Sequence, residues 1–208
     1  MQNNQSGRSM IEMLGVLAII GVLSAGGLTG YAKAMRQYRI NKTVTQVTDI
    51  VSRMAMLGDQ LPSYAGLSNE TAIKMGVVPS EMIISNTELE NVYHGSVTIR
   101  NSNLTAEDSD MAYIIQYQGL PKDACMTLAT QNWQGNKDNM VGVGIGSDNS
   151  KLSDMITTKL VLNCSGNDAS GEIVACRKGA VSLPMDMGKA LKGCSCTGNT
   201  CVFVLKSY

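Results

Sequence analysis

The 208-residue sequence has little charge and no excess of either sign. It contains 17 basic and 17 acidic residues, and charged residues make up only 16% of the chain. A protein that binds nucleic acid through its phosphates usually carries a clearly basic surface. The balance therefore argues against direct nucleic-acid binding.

The sequence also lacks the residues of common enzyme sites. His94 is the only histidine, and no Gly-x-Ser-x-Gly segment supports its use in a Ser-His-Asp arrangement. Gly142, Gly144 and Gly146 alternate, but they lack the spacing of a dinucleotide-binding loop, so a glycine-rich strand edge or loop is predicted instead. We therefore expect no catalytic site and no cofactor.

The longest part of the chain without charge extends over 20 residues, from Met13 to Ala32. As a helix it would be about 30 Å long, the thickness of a bilayer's hydrocarbon core. Glu12 stands at its head, and a carboxylate in lipid is costly unless it is paired. Either the helix is an ordinary membrane anchor with Glu12 at the headgroups, or a positive group on a neighbouring copy neutralises Glu12.

The residues around Glu12 favour the second interpretation. The segment Gly7-Arg8-Ser9-Met10-Ile11-Glu12 and the apolar residues after it resemble the prepilin signal of type IV pilins. The resemblance implies cleavage between Gly7 and Arg8, N-methylation of Arg8, and a role for Glu12 in assembly as the fifth mature residue. Two features differ from the family pattern: Arg8 stands where an apolar residue is usual, and the leader has no lysine or arginine.

The predicted helix continues beyond the apolar segment. No proline or glycine occurs from Tyr31 to Leu57, and Gly58 followed by Pro62 supplies a stop signal. Apolar residues recur at helical spacing in this part: Tyr31, Met35, Tyr38, Ile40, Val44, Val47, Val51 and Met54. We therefore predict one helix from about Ser9 to Leu57, whose second half packs its apolar stripe on a head domain.

Three glycines, Gly26, Gly27 and Gly30, interrupt the apolar half near its end. Each costs up to about 1 kcal/mol relative to alanine in a helix. They could allow close packing of helices in a membrane, or they could form a weak point that unwinds in a filament core.

The remaining sequence predicts an α+β head. A short helix is expected over Asn69–Met75, and a second one opens at Pro121 and extends to about Gln131. Period-two alternation and turn residues predict strands: Ser96–Asn101, Met111–Gln118, Ile156–Asn163, Glu172–Arg177 and Cys201–Leu205. The polar link from Asn103 to Asp110 would close the first two of these strands as a hairpin. The predicted fold is a long N-terminal spine helix packed on a mostly antiparallel sheet. The predicted divisions are a leader at 1–7, an apolar helix half at 8–32, an amphipathic half at 33–58 and a head at 59–208.

A second segment makes the resemblance specific to one subgroup of type IV pilins. Leu120–Thr130, with Trp133 after it, looks like the second helix of the type IVb pilins. The resemblance implies that Cys125 pairs with a cysteine near the C-terminus, where Cys194, Cys196 and Cys201 are the candidates. Cys194 is favoured for its position.

The other cysteines leave several pairings open. All six follow the apolar segment, which is typical of disulfides formed in an oxidising compartment. Cys164 and Cys176 flank a polar segment, and Cys196 and Cys201 flank a tight turn, so each pair could form a local staple. Three cysteines at 194, 196 and 201 could bind a metal, but they lack the two-residue knuckle of common zinc sites. We therefore predict disulfides and no metal.

The distribution of basic residues favours a different orientation in the membrane, in which the C-terminal side stays in the cytoplasm. Lys33, Arg36, Arg39 and Lys42 follow the apolar segment, and by the positive-inside rule they would keep the C-terminal side in the cytoplasm. The cysteines and the prepilin-like segment weigh more, and we interpret these basic residues as contacts between subunits.

Together, the resemblance and the residues predict a structural subunit of an extracellular type IV pilus-like filament and no enzyme. The expected partners are identical subunits, a prepilin peptidase, an inner-membrane assembly platform, and the membrane itself before assembly. The alternatives are a minor pilin or a type II secretion pseudopilin, and a membrane-anchored binding domain or enzyme without a filament.

Overall fold

The computed structural model describes most of the chain, with gaps: residues 6–58, 60–105, 110–133, 139–147, 168–169, 172–176, 183–198 and 200–208. Side chains are described from Met10 in the first helix and, between 168 and 176, only from Ile173. The chain divides into two compact units, of which the first ends at Arg39 and the second extends from Ile40 to Tyr208.

Helix α1 (Ser6–Gly58) is a single element of 53 residues, which confirms the predicted long helix. In the first unit, none of the side chains described from Met10 to Arg39 is buried. In the second unit, Val47, Ile50 and Met54 of α1 are fully buried. Burial of the predicted stripe therefore begins at Ile40, whereas Tyr31 and Tyr38 are exposed.

Three short helices of the second unit have clear local causes. They are α2 (Asn69–Lys74), α3 (Lys122–Thr130) and α4 (Met187–Gly193). Ser68 and Thr71 form a capping box at the start of α2, and Pro121 stands at the N-cap of α3, where its missing N–H is harmless. The predicted helices at Asn69–Met75 and after Pro121 are thereby confirmed, while α4, capped by Asp186, was not predicted.

The strands of the second unit form a seven-stranded sheet. They are β1 (Leu89–Glu90), β2 (Ser96–Ser102), β3 (Ala112–Leu120), β4 (Met140–Gly146), β5 (Asp168–Ala169), β6 (Glu172–Cys176) and β7 (Cys201–Ser207). Their order is β1-β2-β3-β7-β4-β6-β5, and all pairings are antiparallel. The predicted hairpin of β2 and β3 is confirmed, and the predicted strand at Ile156–Asn163 lies outside the described residues.

Strand β4 corrects one prediction. Gly142, Gly144 and Gly146 belong neither to a loop nor to an edge strand, since β4 lies between β7 and β6. Glycine is usually unfavourable in a strand because it has no side chain to pack. Here Val143 and Ile145 pack in the core on one face, while hydrogen bonds to two neighbouring strands hold the backbone.

Both faces of the sheet are buried. The larger core contains Tyr113, Ile115 and Tyr117 of β3 together with the apolar residues of α1 and the short helices. Ile114 points to the opposite face, where it belongs to a smaller cluster with valines of β4, β6 and β7. Because side chains alternate along a strand, the dense apolar sequence of β3 serves both faces.

Candidate functional site

The main candidate site is the exposed apolar surface of α1 in the first unit. Eleven large apolar side chains between Met10 and Leu28 are each 52–75% exposed. Glu12 is exposed within this surface. Within the described part of the chain, α1 is the one helix that is long and apolar enough to cross a membrane. A surface of this kind must be covered by lipid or by other protein, because its contact with water is costly.

The three glycines lie in α1 without close neighbours. A Cβ atom added at Gly26, Gly27 or Gly30 would meet no atom of the described part of the chain within 4 Å. The Thr29 hydroxyl donates to the carbonyl oxygen of Gly26 at 2.9 Å, a local bond that competes with the helix ladder. Among the described residues of one subunit, no contact therefore requires glycine at these positions, and their role as a weak point stays a prediction.

Two disulfides fasten the C-terminal part of the second unit. Cys125 of α3 is bonded to Cys194, directly after α4, across a separation of 69 residues. Cys196 is bonded to Cys201 across a separation of five residues. These are the pairings that the family resemblance and the tight turn implied. Cys176 is also disulfide-bonded, and its expected partner, Cys164, lies outside the described residues.

Polar contacts attach the second half of α1 to the loop region after it. The Nζ atom of Lys42 lies 2.6 Å from the Oε1 atom of Glu81, and Arg53 donates to the carbonyl oxygen of Gly76 at 2.9 Å. The hydrogen bond from Lys42 holds the pKa of Glu81 below its ordinary value. Lys42, which the sequence grouped with subunit contacts, thus has a partner within its own subunit. No local pattern could reveal a pair so far apart in sequence.

The described residues offer little for catalysis. His94 lies in the turn between β1 and β2, with a φ of 63°, and hydrogen-bonds to Glu90. Burial raises the pKa of Tyr117 far above its ordinary value, so this hydroxyl stays neutral inside the core. Among the described residues, no group of three or more His, Cys, Asp or Glu side chains could hold a metal ion. A cleft between Pro62, Tyr64, Met111 and Tyr208 is lined by no Asp, Glu, His or Cys side chain.

This chain has a long N-terminal helix, an antiparallel sheet and a Cys125–Cys194 disulfide. These features place it in the class of type IV pilins. The crystal structure of TcpA, a type IV pilin from Vibrio cholerae El Tor biotype, has the same fold, with a TM-score of 0.56 and 14% identity over 82% of this chain and 99% of that chain. The family described as PilS N terminal matches residues 37–176. The chain belongs to this family.

Two curated proteins are similar over 150 residues, which make up 72% of this chain and 76% of theirs. Both are described as the major structural subunit of bundle-forming pilus. One, from Escherichia coli O111:H-, is 26% identical, and the other, from Escherichia coli O127:H6 (strain E2348/69 / EPEC), is 25% identical. Together with the family match, these relatives confirm the predicted resemblance to type IVb pilins.

Proposed function

We propose that this chain is a structural subunit of an extracellular type IV pilus-like filament and acts by assembly rather than by catalysis. One observation carries the proposal: the apolar half of α1 is exposed, although the second unit has a closed core of its own. A subunit that packs such helices together would bury this surface. The pilus subunits among its relatives support the same conclusion.

Apolar burial would supply most of the cohesion of the filament. Burying one large apolar side chain contributes about 1.5–3 kcal/mol, and eleven such side chains are exposed between Met10 and Leu28. This total exceeds the contribution of any single ion pair. Apolar burial alone distinguishes axial registers less sharply than a buried charge pair does, so a charged group is suited to set the register.

Glu12 would set that register. After cleavage between Gly7 and Arg8, the new α-amine of Arg8, N-methylated as in the family, would pair with Glu12 of a neighbouring subunit. A buried charge without its partner costs several kcal/mol, so incorrect registers are penalised. Gly26, Gly27 and Gly30 would let the helix unwind locally as it leaves lipid for the filament core.

Before assembly, the same helix would hold the precursor in the bacterial inner membrane. A prepilin peptidase would remove residues 1–7, and an inner-membrane assembly platform would move the subunit into the growing filament. The six cysteines agree with a head that is oxidised outside the cytoplasm.

Electron microscopy of sheared surface material, with mass spectrometry of its main band, tests the proposal directly. We expect filaments in which this chain, starting at Arg8, is the dominant protein. A trace amount beside another dominant subunit would indicate a minor pilin or pseudopilin instead. Cells that display the head domain without any filament would contradict the proposal.

Substitutions at two positions test the register. Glu12→Gln should leave membrane insertion and leader removal intact but lower filament yield at least about tenfold, because the neighbour's ammonium group is buried unpaired. Asp49→Asn, the same chemical change later in α1, is the matched control and should assemble. Arg8→Ala keeps the α-amine and should also assemble once its leader is removed.

The same variants test a simpler explanation, in which Glu12 pairs only with Arg8 of its own helix. An Arg8–Glu12 pair within one helix contributes only a few tenths of a kcal/mol. If that pair were the whole role of Glu12, Glu12→Gln would assemble normally. Normal filament numbers from the cleaved Glu12→Gln protein would rule out the registration role.

A further inference from the structure

A small cleft lies in the second unit where α1 ends. Its volume is about 210 Å³, and it is lined by residues that include Gly58 at the end of α1, Met111 just before β3, and Tyr208 after β7. Pockets for drug-sized molecules have roughly 300–1,000 Å³, so this cleft suits a smaller ligand. Filament assembly through α1 gives the cleft no role.

The two tyrosines of the cleft are held in place by other parts of the second unit. The backbone N–H of Tyr64 donates to the carbonyl oxygen of Asp110 at 2.7 Å, and its ring centroid lies 5.1 Å from that of Tyr113. The backbone N–H of Tyr208 donates to the carbonyl oxygen of Asn139 at 2.9 Å. Groups that are already fixed lose little conformational entropy when a ligand binds. The cleft is therefore preorganised.

Gly58 allows Tyr64 to lie against the end of α1. A Cβ atom added at Gly58 would overlap the hydroxyl oxygen of Tyr64. The C-terminal end of a helix carries a partial negative charge, and the last turn of α1 contains no basic residue that would neutralise it. The cleft therefore combines a tyrosine with the negative end of a long helix.

The lining has no positive side chain to offset this partial charge. Among the described residues that line the cleft, none is Lys, Arg or His. In sequence, an aspartate stands directly beside three of the lining residues: Asp59 after Gly58, Asp110 before Met111, and Asp138 before Asn139. No lysine or arginine stands directly beside any lining residue. A ligand with a positive charge is therefore favoured, and an anion is disfavoured.

The chemistry of the lining favours a methylated ammonium group over a primary one. A primary ammonium has three N–H donors that need acceptors, and burying them without partners is costly. The described lining offers no Asp or Glu side chain for them. A quaternary ammonium has no N–H and binds against aromatic rings. Met111, 44% exposed, and Leu61, 38% exposed, add apolar surface for its methyl groups.

We propose that this cleft binds a small quaternary ammonium group of the choline type. Tyr64 and Tyr208 contact the methyl groups of the ligand, while the C-terminal end of α1 stabilises its positive charge. The same chemical group occurs in free choline and in the headgroup of a phosphocholine lipid. The site belongs to the second unit and needs no filament, so its test is independent of the proposed function.

Titrations of the full chain in maltoside micelles test the proposal. An isotopically labelled methyl group of Met111, identified in NMR spectra through Met111→Leu, reports occupancy of the cleft. We expect choline to shift this signal in a saturable way. Choline should bind at least about tenfold more tightly than ethanolamine or than the uncharged choline isostere in which carbon replaces nitrogen. An unchanged Met111 signal, or equal affinity for choline and its isostere, would overturn the proposal.

Substitutions at Tyr208 test the role of its ring. Tyr208→Ala should weaken choline binding about tenfold, whereas Tyr208→Phe keeps the ring and should bind nearly as well. Tyr38→Ala removes an exposed tyrosine of the first unit and is the matched control, with no change in affinity expected. Unaltered affinity of Tyr208→Ala would contradict the proposal. The comparison of ligands on the unaltered chain does not depend on the folding of any variant.

Glycerophosphocholine separates the two sources of the ligand, because it presents the lipid headgroup without acyl chains. An affinity equal to that of choline would show that the cleft accepts the headgroup of a phosphocholine lipid. Binding of choline alone would identify the free cation as the ligand, since the negative end of α1 repels the phosphate.

Discussion

Gly95 stands where a side chain would collide with the neighbouring strand. A Cβ atom there would overlap the carbonyl oxygen of Gln118 and lie 2.9 Å from the Asn91 amide nitrogen. The same Asn91 amide donates to that carbonyl at 2.8 Å, so neither neighbour can move without losing a hydrogen bond. The absence of a side chain at Gly95 therefore allows the β1–β2 turn to pack closely against β3.

We expect Gly95→Ala to lower the free energy of unfolding by about 1–3 kcal/mol, because backbone and a bonded side chain must shift to admit the methyl group. Urea unfolding of the full chain in detergent micelles measures this loss. Ser96→Ala, at the next and exposed position, is the control and should stay within about 0.5 kcal/mol. Equal stability of Gly95→Ala and Ser96→Ala would show that the β1–β2 turn and β3 can move apart at little cost in free energy.

The Lys42–Glu81 pair should make stability depend on pH. Because the hydrogen bond from Lys42 lowers the pKa of Glu81 in the folded state, the pair stabilises the fold above the ordinary glutamate pKa. That stability is lost as the pH falls through the lowered pKa. Since both side chains are partly exposed, we expect Glu81→Gln to cost about 0.2–1 kcal/mol at neutral pH and nothing in acid.

Urea unfolding of the wild type and Glu81→Gln across the acid range measures this difference. Glu88→Gln removes a charge just before β1 and serves as the control. We expect a smaller change in the free energy of unfolding for this variant. A difference between wild type and Glu81→Gln that stays constant down to strong acid would show that the ion pair is not its source.

The two described disulfides differ in the length of chain they close. Cys125–Cys194 closes a loop with a separation of 69 residues and ties α3 to the end of α4. Cys196–Cys201 closes a separation of five residues around a turn that already has a hydrogen bond from Thr200 to Thr197. In the chain-entropy account, the longer loop restricts the unfolded state more.

We therefore expect Cys125→Ser with Cys194→Ser to lower the free energy of unfolding by about 2–5 kcal/mol, and Cys196→Ser with Cys201→Ser by about 2 kcal/mol or less. Replacing both cysteines of a pair leaves no unpaired thiol to exchange with other disulfides. Urea midpoints and subunit levels in cells measure the two losses. An equal or larger loss from the short loop would contradict the entropic explanation.

The elements with strong local signals could be predicted from sequence. The apolar segment, the periodic residues after it and Gly58 with Pro62 predicted α1, and Pro121 predicted the start of α3. Strand β4 was not assigned because its alternating glycines also fit a loop, and only the neighbouring strands β7 and β6 reveal it as an inner strand. Helix α4 has only seven residues, and a single cap residue, Asp186, is a weak signal for so short a helix.

At the level of the whole molecule, the neighbours of the strands could not be predicted, apart from the β2–β3 hairpin. Alternation in Cys201–Leu205 reveals a strand, but it does not reveal that β7 lies between β3 and β4. Likewise, the exposed side of α1 follows from its composition, whereas the Lys42–Glu81 pair depends on how the chain returns to the helix. Local sequence patterns therefore predict individual helices and strands, whereas contacts between residues distant in sequence arrange these elements into the fold.

The central place of β7 has a consequence for the order of synthesis and export. Strands β3 and β4 are made earlier, and they can pair with β2 and β6 respectively, yet each must wait for Cys201–Ser207 to arrive before it gains its second neighbour. Under the proposed export, Cys194 reaches the oxidising compartment shortly before β7, so the Cys125–Cys194 bond can close only when nearly all of the chain has crossed. A chain cut short by a premature stop codon before Cys201 would leave two facing edges open, and proteases would remove it before it could enter a filament.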